Sequence, residues 1–447
     1  MGRTGRPDQD VMWRPHVAWL VLTVGLLSAD EPVFERPRLE GYVGGPYKLL
    51  VRDFTGDGHA DVLTGYRNLG VLQLAVGDGR GGVSDRSGGV LTDLSGRERD
   101  RSIDSTCWSE PHVHNLHAAD INGDSRLDIV VGVGGLSTVK TGRVVVALGE
   151  AGGRFRKLVE YQVPSEAKGV RFEDLDRDGR LDLLYTARGS GYKQDLTVGE
   201  LHIRRGLGRG RFGTAIVLPA GRSAYAIDTG DLNEDGFPDV VIPNEHDDRA
   251  TFCLSPGKEC FSVVTKDATR RWAVKVLPAT PIPGKRSHAV NDARIADFNG
   301  DGHLDVVTAN LGTSTISIFA GRGDGTFEKD RQLEAGKNGA FLGLGDLDGD
   351  KDIDLAITHW TEAFVSVFLN RGDGTFARRV DLPSGLGSYG LDIADLDRDG
   401  HLDLVSANYR DNSISILRGR GDGTFRPTVT LPRGLRVTGG RLVPFAP

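Results

Sequence analysis

The sequence predicts an all-β fold, a seven-bladed β-propeller of four-stranded antiparallel blades, and three observations support this prediction. The first is a nine-residue acidic stretch that recurs with spacings of 67, 54, 57, 66, 49 and 49 residues, as in solenoids and propellers. The second is the short β-branched segments of alternating polarity between the copies, and the third is the Asp-Gly turns that separate those segments. The seven copies start at Asp53, Asp120, Asp174, Asp231, Asp297, Asp346 and Asp395.

The last two repeats show most clearly what one unit contains. After Asp305 the chain continues with two β-branched segments, 306–310 and 314–319, and then with an Asp-Gly turn at 323–327. A further apolar segment precedes each acidic stretch, and another follows each turn. Four strands in 49 residues correspond to one propeller blade. Residues 30–447 are therefore predicted to form one closed propeller domain, although the sequence leaves the mode of ring closure open between outer strands at 34–39 and 425–431.

The first 29 residues have the composition of a secretory signal peptide. Arg3, Arg6 and Arg14 precede an apolar run at 17–27, which ends in the small residues Ser28 and Ala29. The run is shorter than the roughly 20 residues of a transmembrane helix, but an uncleaved N-terminal anchor remains an alternative. We therefore expect a secreted protein, extracellular or periplasmic, with no other membrane association.

Each acidic stretch has the ligand pattern of a calcium loop. In Asp297–Asp305, carboxylate or amide oxygens occupy positions 1, 3, 5 and 9, and a glycine at position 6 permits a sharp bend. Magnesium fits less well, because it retains several waters rather than accepting a cage of protein oxygens. We predict up to seven structural calcium ions. The predicted ligands are Asp53, Thr55, Asp57 and Asp61; Asp120, Asn122, Asp124 and Asp128; Asp174, Asp176, Asp178 and Asp182; Asp231, Asn233, Asp235 and Asp239; Asp297, Asn299, Asp301 and Asp305; Asp346, Asp348, Asp350 and Asp354; and Asp395, Asp397, Asp399 and Asp403.

The seven loops are not equivalent. Position 6 holds Ser125 in loop 2 and Lys351 in loop 6, where a side chain with positive φ would be strained. Thr55 replaces a carboxylate or amide in loop 1, so we expect weaker sites in these three loops. The alternative is that the aspartates form Asx-turns without a metal, but such crowded carboxylates would then repel one another.

Composition excludes several classes of function. The net charge of −7 is explained by the loop ligands, and the basic residues are scattered, so we expect no nucleic-acid partner. Three cysteines exclude a disulfide-framed scaffold, although Cys253 and Cys260 flank a turn-like segment and could pair. The sequence contains no Walker, G-x-S-x-G or H-E-x-x-H motif.

On its seven acidic loops and four-strand repeats, the chain resembles the FG-GAP/VCBS repeat family, whose members include the head of integrin α subunits. The resemblance covers essentially everything after the signal. It implies that each calcium loop joins the innermost strand of a blade to the second strand. Its functional implications are broad, because such repeats serve in adhesion, in lectin-like binding and in some enzymes.

If this placement is right, two rows of residues lie toward the face opposite the loops. Polar and aromatic side chains there suit a glycan or protein ligand, whereas the alternative is that they only bond neighbouring backbone at strand ends. The entry row, six residues before each loop, is Tyr47, His114, Lys168, Tyr225, Asn291, Ala340 and Tyr389. The exit row, five residues after each closing aspartate, is Tyr66, Val133, Ala187, Asn244, Asn310, His359 and Asn408.

Three functional hypotheses follow, and no catalytic residue is assigned. The preferred one is a non-enzymatic binding or scaffold protein with an unidentified glycan or protein partner. The alternative is an enzyme acting on extracellular polysaccharide, a lyase or hydrolase, which would require Tyr225, His114, Lys168 and His359 to lie within about 10 Å of one another. The third is an adhesin that presents the Arg-Gly-Asp turns at 322–324, 371–373 and 420–422, although turn geometry alone explains these residues. A zinc site at His112, His114 and His117 is a further alternative that no known ligand spacing supports.

Overall fold

Runs of β-branched and aromatic residues form strands throughout the chain, which we describe from a computed structural model. The described residues are 45–67, 70–84, 90–93, 112–134, 142–189, 198–246, 249–255, 273–278, 280, 289–432, 435–438 and 441–444. All of them lie in one unit, Leu39–Ala446. The predicted signal peptide, the segment 34–39, Cys107 and Cys260 lie outside the described residues.

The strands follow one another along the chain in seven groups. Blade 1 contains β1 (Pro46–Arg52), β2 (Asp61–Tyr66), β3 (Val71–Gly77), β4 (Val83–Ser84) and β5 (Val90–Asp93); blade 2 contains β6 (His112–Ala119), β7 (Asp128–Gly134), β8 (Gly142–Glu150) and β9 (Arg154–Val163); blade 3 contains β10 (Ala167–Glu173), β11 (Asp182–Ala187), β12 (Glu200–Gly206) and β13 (Phe212–Pro219). Blade 4 contains β14 (Asp228–Gly230), β15 (Asp239–Pro243), β16 (Arg249–Leu254) and β17 (Ala273–Pro278); blade 5 contains β18 (Val290–Ala296), β19 (Asp305–Asn310), β20 (Thr315–Phe319) and β21 (Arg331–Glu334). Blade 6 contains β22 (Gly339–Gly345), β23 (Asp354–His359), β24 (Phe364–Phe368) and β25 (Val380–Pro383); blade 7 contains β26 (Ser388–Ala394), β27 (Asp403–Asn408), β28 (Ser413–Leu417) and β29 (Val429–Pro432); β30 (Leu435–Thr438) and β31 (Arg441–Pro444) form a separate hairpin.

Each blade is an antiparallel sheet whose strands pair in chain order, and in blade 1 both β4 and β5 pair with β3. The second strands, such as β19 and β27, are buried along their whole length because neighbouring blades pack on both faces. The outermost strands carry exposed residues, such as Val380. The prediction of an all-β, seven-bladed propeller is confirmed. The described residues include no helix, and hence no helical segment that could cross a membrane.

The ring closes by packing, with each blade built from consecutive strands. The inner strand β1 of blade 1 contacts β26 and β27 of blade 7. The outer strand of blade 7 is β29, so the C-terminal segment predicted at 425–431 supplies it. Apolar residues of the two blades, including Leu49, Val62, Val405 and Ile414, share one buried cluster. Closure of the ring therefore depends on buried apolar area between first and last blade.

Ion pairs also join neighbouring inner strands. Arg52 of blade 1 lies 3.1 Å from Asp392 of blade 7, and Arg171 of blade 3 lies 2.8 Å from Asp228 of blade 4. Arg52 comes one residue before its loop, and the other three side chains come three residues before theirs. Charged residues of adjacent inner strands therefore pair between blades 7 and 1 and between blades 3 and 4.

The closing aspartate at position 9 makes the same two hydrogen bonds in every blade. One carboxylate oxygen accepts the backbone N–H of position 2, and the other accepts an N–H at the end of the third strand, at 2.6–3.0 Å. The donors are Phe54 and Gly77 for Asp61, Ile121 and Gly149 for Asp128, Leu175 and Gly206 for Asp182, Leu232 and Ser255 for Asp239, Phe298 and Gly321 for Asp305, Leu347 and Asn370 for Asp354, and Leu396 and Gly419 for Asp403.

The third-strand donor is a glycine in five of these seven blades for a steric reason. A Cβ at Gly321 would lie 2.1 Å from the carbonyl oxygen of Leu304, and one at Gly419 would lie 2.3 Å from that of Leu402. The same close approach occurs at Gly77, Gly149 and Gly206. The recurring glycine thus allows the third strand to reach the buried carboxylate.

We predict that Asp305→Ala lowers the free energy of unfolding by about 2–6 kcal/mol, because it leaves two buried backbone N–H groups without an acceptor. The control is Asp301→Ala in the same loop, whose carboxylate accepts the N–H of His303 at an exposed position. Both variants are compared with the parent by urea denaturation in excess EGTA, so that any metal contribution is removed. Equal destabilisation by the two substitutions would contradict the anchoring role of Asp305.

Candidate functional site

The acidic loops and the entry row lie at opposite ends of the inner strands. Each loop connects the first and second strands of its blade, as from β18 to β19, whereas the entry-row residues lie at or just before the start of the first strand. The molecule therefore presents two candidate sites, the loops at one end and the entry row at the other.

The loop carboxylates make internal bonds of the Asx-turn kind. In loop 5, Asp297 accepts the N–H of Gly302 at 2.9 Å, and Asp301 accepts that of His303 at 2.8 Å. Position 6 has positive φ in loops 2 and 6, at 65° for Ser125 and 77° for Lys351, so the predicted left-handed backbone is confirmed there. Because each carboxylate oxygen has more than one lone pair, these bonds leave acceptors for a cation.

Loops 3, 6 and 7 bring three carboxylates together, with candidate ligand atoms within 4.8 Å of one another. In loop 3, Asp176 is buried and its Oδ1 has no hydrogen-bond partner, while its Oδ2 lies 2.8 Å from Arg205. Burial and the neighbouring charges of Asp176 and Asp174 raise the pKa of Asp182 to about 8. A buried oxygen without a partner beside two more carboxylates fits a hard divalent cation. The three clusters are Asp174, Asp176 and Asp182; Asp346, Asp348 and Asp354; and Asp395, Asp397 and Asp399.

Histidines do not contribute to these candidate clusters in the described part of the chain. His112 stacks on His114 with ring centroids 5.7 Å apart, and Nδ1 of His117 accepts the backbone N–H of Phe172 at 3.3 Å. Cys253 is a free, buried thiol whose pKa burial raises to about 12.

At the opposite end, three tyrosines of the entry row meet across the ring. The Tyr47 and Tyr389 rings stack with centroids 4.0 Å apart. The Tyr225 hydroxyl lies 3.0 Å from that of Tyr47 and 2.7 Å from that of Tyr389, so the three phenols form one hydrogen-bonded chain. Burial raises the pKa of all three tyrosines, and each therefore remains protonated at neutral pH.

His114 and Lys168 adjoin these tyrosines. The Nζ of Lys168 lies 3.2 Å from Nδ1 of His114 and 4.9 Å from the centre of the Tyr225 ring. Burial and the charge of Lys168 hold the pKa of His114 well below its usual value, so the imidazole is neutral. When Lys168 is protonated, its ammonium can only donate to Nδ1, which places the imidazole proton on Nε2. That buried Nε2 has no hydrogen-bond partner, and Glu166 is 3.9 Å away.

Lys168 and Arg188 form a charge-balanced network with two glutamates. Glu166 lies 3.1 Å from Lys168 and 3.0 Å from Arg188, and Glu245 lies 3.3 Å from Arg188. Burial alone would raise the pKa of Glu166, but the charges of Lys168 and Arg188 lower it to about 2. Two cations and two anions therefore neutralise this part of the site.

A further row, one residue beyond the exit row, borders the same end of the ring. We call it the rim row, and we call the surface formed by the entry and rim rows the mouth. In six blades the rim-row backbone N–H donates to a carbonyl at the equivalent position, two residues before the entry row. The rim row is Arg67, Gly134, Arg188, Glu245, Leu311, Trp360 and Tyr409.

The rim row carries an aromatic pair that is only partly buried. The rings of Trp360 and Tyr409 stack with centroids 5.4 Å apart and an angle of 15° between their planes. The Arg67 guanidinium lies 5.0 Å from the Tyr47 ring, 5.6 Å from the Tyr409 ring and 6.0 Å from the Trp360 ring. Arg410 is exposed, and its guanidinium lies 5.2 Å from the centre of the Trp360 ring. The mouth therefore has two halves. One half holds the charge-balanced network of Lys168 and Arg188, and the other half holds aromatic rings and the guanidinium groups of Arg67 and Arg410.

The exit-row side chains bond within their own blades. Asn310 donates to Thr315 at 3.1 Å and to Ser317 at 2.9 Å, and His359 Nε2 lies 2.8 Å from Ser366 Oγ. Tyr66, Asn244 and Asn408 likewise bond residues of the adjacent strand. These contacts match the strand-end alternative, and they hold His359 to its own blade. In the entry row, Asn291 donates to the carbonyl of Ala340 at 3.0 Å.

The structure brings five of the seven predicted entry-row residues together, and the rim row, which the sequence analysis did not name as a row, lies one residue beyond the predicted exit row. Successive side chains on a strand point to opposite faces, so a shift of one residue replaces residues that bond within a blade by residues that face the mouth. A signal was present, because Arg67, Arg188, Glu245, Trp360 and Tyr409 are larger or more charged than strand-end packing requires.

A groove of about 440 Å³ lies beside the outer strands of blades 3 and 4. Val198, Val274 and Val276 line it together with Arg222. It lacks the grouped titratable residues of the mouth.

The chain matches one repeat family. A sequence profile described as an FG-GAP-like repeat matches residues 120–185, 297–357, 346–406 and 395–445. These ranges include loops 2, 3, 5, 6 and 7. A comparison with curated proteins finds no match.

Solved structures with the same architecture are distant in sequence. A 6-phosphogluconolactonase candidate from Bacteroides uniformis has 12% identity and a TM-score of 0.51, over 88% of this chain and 98% of its own. The periplasmic gluconolactonase of Pseudomonas aeruginosa has 14% identity and a TM-score of 0.50, over 88% and 96%. An Agrocybe aegerita lectin that recognises non-reducing terminal N-acetylglucosamine has 17% identity and a TM-score of 0.49, over 88% and 94%.

At 12 and 14% identity, the two lactonase-related structures share the fold alone. The family evidence comes instead from the profile and from the structure, since an acidic loop closed by a buried aspartate joins the first two strands of all seven blades. The chain is therefore a seven-bladed β-propeller protein of FG-GAP-like repeats.

Proposed function

We propose that this protein is a secreted, calcium-stabilised propeller that binds a carbohydrate at the mouth without transforming it. The observation that carries the proposal is the partly exposed Trp360–Tyr409 stack beside the buried polar groups of the entry row. Flat aromatic faces pack against the C–H faces of sugar rings, while a few polar groups fix orientation.

The polar groups of the mouth are held in place before any ligand binds. Tyr47, Tyr225 and Tyr389 bond one another, and Lys168 is fixed by Glu166 and His114. A preorganised set of donors and acceptors reduces the entropy lost on binding. The mouth thus combines an aromatic surface with a rigid polar floor, which suits a small oligosaccharide better than a large flat protein partner.

An enzyme acting on polysaccharide is the second candidate, because Tyr225, His114 and Lys168 do converge. Protonation of the phenol and the hydrogen bond of His114 argue against proton abstraction. The phenols remain protonated, and Nδ1 of His114, the lone pair of the neutral ring, already accepts a hydrogen bond from Lys168. His359, the fourth group of that hypothesis, bonds Ser366 instead.

The loop ions are proposed to have a structural role, in which each ion stabilises one turn of the propeller. A calcium ion supplies positive charge where several carboxylates approach one another, and it thereby stiffens the turn between the first and second strands. Asp176, Asp348 and Asp397 at position 3 are the carboxylates that would complete the strongest sites. The mouth lies at the other end of the inner strands, so the ions would support the ligand site only through the rigidity of the ring.

We predict that Trp360→Ala lowers affinity for a bound oligosaccharide by about 10–30-fold, in the range for loss of a central aromatic contact. Tyr161→Ala is the matched control, since Tyr161 is also a partly buried aromatic ring, stacked on Tyr185, but lies on the outer strand of blade 2. Binding is measured on a glycan array and then by calorimetry, with melting curves for each variant. The proposal fails if the parent binds no glycan, or if both variants bind as the parent does.

We predict that EGTA lowers the melting temperature and that calcium, but not magnesium, restores it. Removal of the cation would leave crowded carboxylates such as those of loop 7. Asp397→Asn should reduce the calcium-dependent increase, whereas Asp422→Asn, in an Asp-Gly turn outside the loops, should not. An unchanged melting temperature in EGTA would overturn the calcium proposal.

We predict that the protein releases no oligosaccharide from acidic or neutral polysaccharides, because the Tyr225 phenol is protonated and the lone pair of the neutral His114 imidazole already accepts a hydrogen bond from Lys168. Reducing ends and unsaturated products are measured over long incubations with soluble substrates. Product formation by the parent that is lost in His114→Ala or Lys168→Ala would favour the enzyme instead.

A further inference from the structure

Arg67 differs from the other cations buried in the mouth in its choice of partners. Lys168 and Arg188 each contact a glutamate within 3.1 Å. The Arg67 guanidinium, by contrast, has no carboxylate partner among the residues that the structure describes, and its recorded side-chain contacts are three aromatic rings. The side chain is partly buried, so its charge is also partly removed from water.

The aromatic rings stabilise this charge only in part. A guanidinium near the face of a tyrosine or tryptophan ring is attracted to the negative face of the ring, which replaces only part of the hydration that the charge loses. Its N–H groups lie in the guanidinium plane, and they still require acceptors. Arg67 therefore retains unused hydrogen-bond donors at a site where water is partly excluded.

Exposed Arg410 adds a second positive charge to the same half of the mouth. It lies 5.2 Å from the Trp360 ring, and it too has no ion pair with a described carboxylate. The other half, with Lys168, Arg188, Glu166 and Glu245, is balanced in charge. The aromatic half of the mouth is thus the positively charged half.

We infer that the ligand of the mouth is an anionic carbohydrate, whose carboxylate or sulfate group binds Arg67 while the sugar ring packs on Trp360 and Tyr409. This inference rests on the proposed carbohydrate-binding function and specifies its ligand class. The planar fork of an arginine matches the two oxygens of a carboxylate or sulfate, and the resulting charge-assisted hydrogen bonds are about twice as strong as neutral ones. An acidic sugar would also supply the charge that the described residues do not.

The test compares defined oligosaccharides by calorimetry. The probes are trigalacturonate, its methyl ester, a chondroitin sulfate oligosaccharide and xylotriose, so that carboxylate, sulfate and neutral sugars are separated. We expect the parent to bind trigalacturonate or the sulfated probe at least about tenfold more tightly than the neutral probes, since hydrogen bonds to an ionised group are stronger than those between neutral groups. Added salt should weaken the acidic complex alone.

Arg67→Gln should remove this preference, and Arg67→Lys should restore it only in part, because lysine lacks the planar fork. The matched control is Arg204→Gln, because Arg204 also lies over a tyrosine ring, that of Tyr161 at 4.1 Å, but far from the mouth along blade 3. Melting curves exclude unfolding as the cause. Equal affinity of the parent for charged and neutral probes, or full acidic binding by Arg67→Gln, would overturn the inference and leave the proposed function standing. Failure of the parent to bind any of the probes or any arrayed glycan would overturn both.

Discussion

The two hydrogen bonds of the buried closing aspartate are the interaction on which every blade depends. In loop 5, the carboxylate of Asp305 joins Phe298 at the start of the acidic loop to Gly321 at the end of the third strand. Asp305 begins the second strand, Phe298 follows the first strand and Gly321 follows the third strand. The two hydrogen bonds together therefore fix three strands relative to one another. A buried carboxylate is stable only with such partners, and glycine at the third strand allows the backbone to come close enough.

Because this anchor lies at one end of the inner strands, the other end is free to vary among blades. The entry row contains tyrosines, a histidine, a lysine and an alanine at equivalent positions, although the strands that carry them are alike. The result is an asymmetric mouth on a nearly symmetric ring. One half holds the paired charges of Lys168, Arg188, Glu166 and Glu245, and the other holds aromatic rings with the guanidinium of Arg67.

Much of the fold could be predicted from the sequence, and less of the candidate site. The loops and their spacing indicated seven blades, whereas the sequence left open which of the segments 34–39 and 425–431 supplies an outer strand; in the structure Val429–Pro432 forms the outer strand of blade 7. The enzyme hypothesis grouped His359 with Tyr225, His114 and Lys168. The structure brings the last three together, but His359 bonds Ser366 within its own blade. The rim row was missed, because a one-residue shift in register changes which side chains face the mouth, and spacing alone does not fix that register.

The sequence by itself determined the repeat, its acidic loops and the left-handed backbone at position 6, because these follow from local turn geometry and periodicity. Only the tertiary structure decided which side chains meet across the ring. Tyr47, Tyr225 and Tyr389 are separated by more than 160 residues along the chain, and their hydroxyls meet because blades 1, 4 and 7 share one mouth. Contacts of this kind depend on the closure of the whole ring, so they cannot be predicted from any local pattern in the sequence.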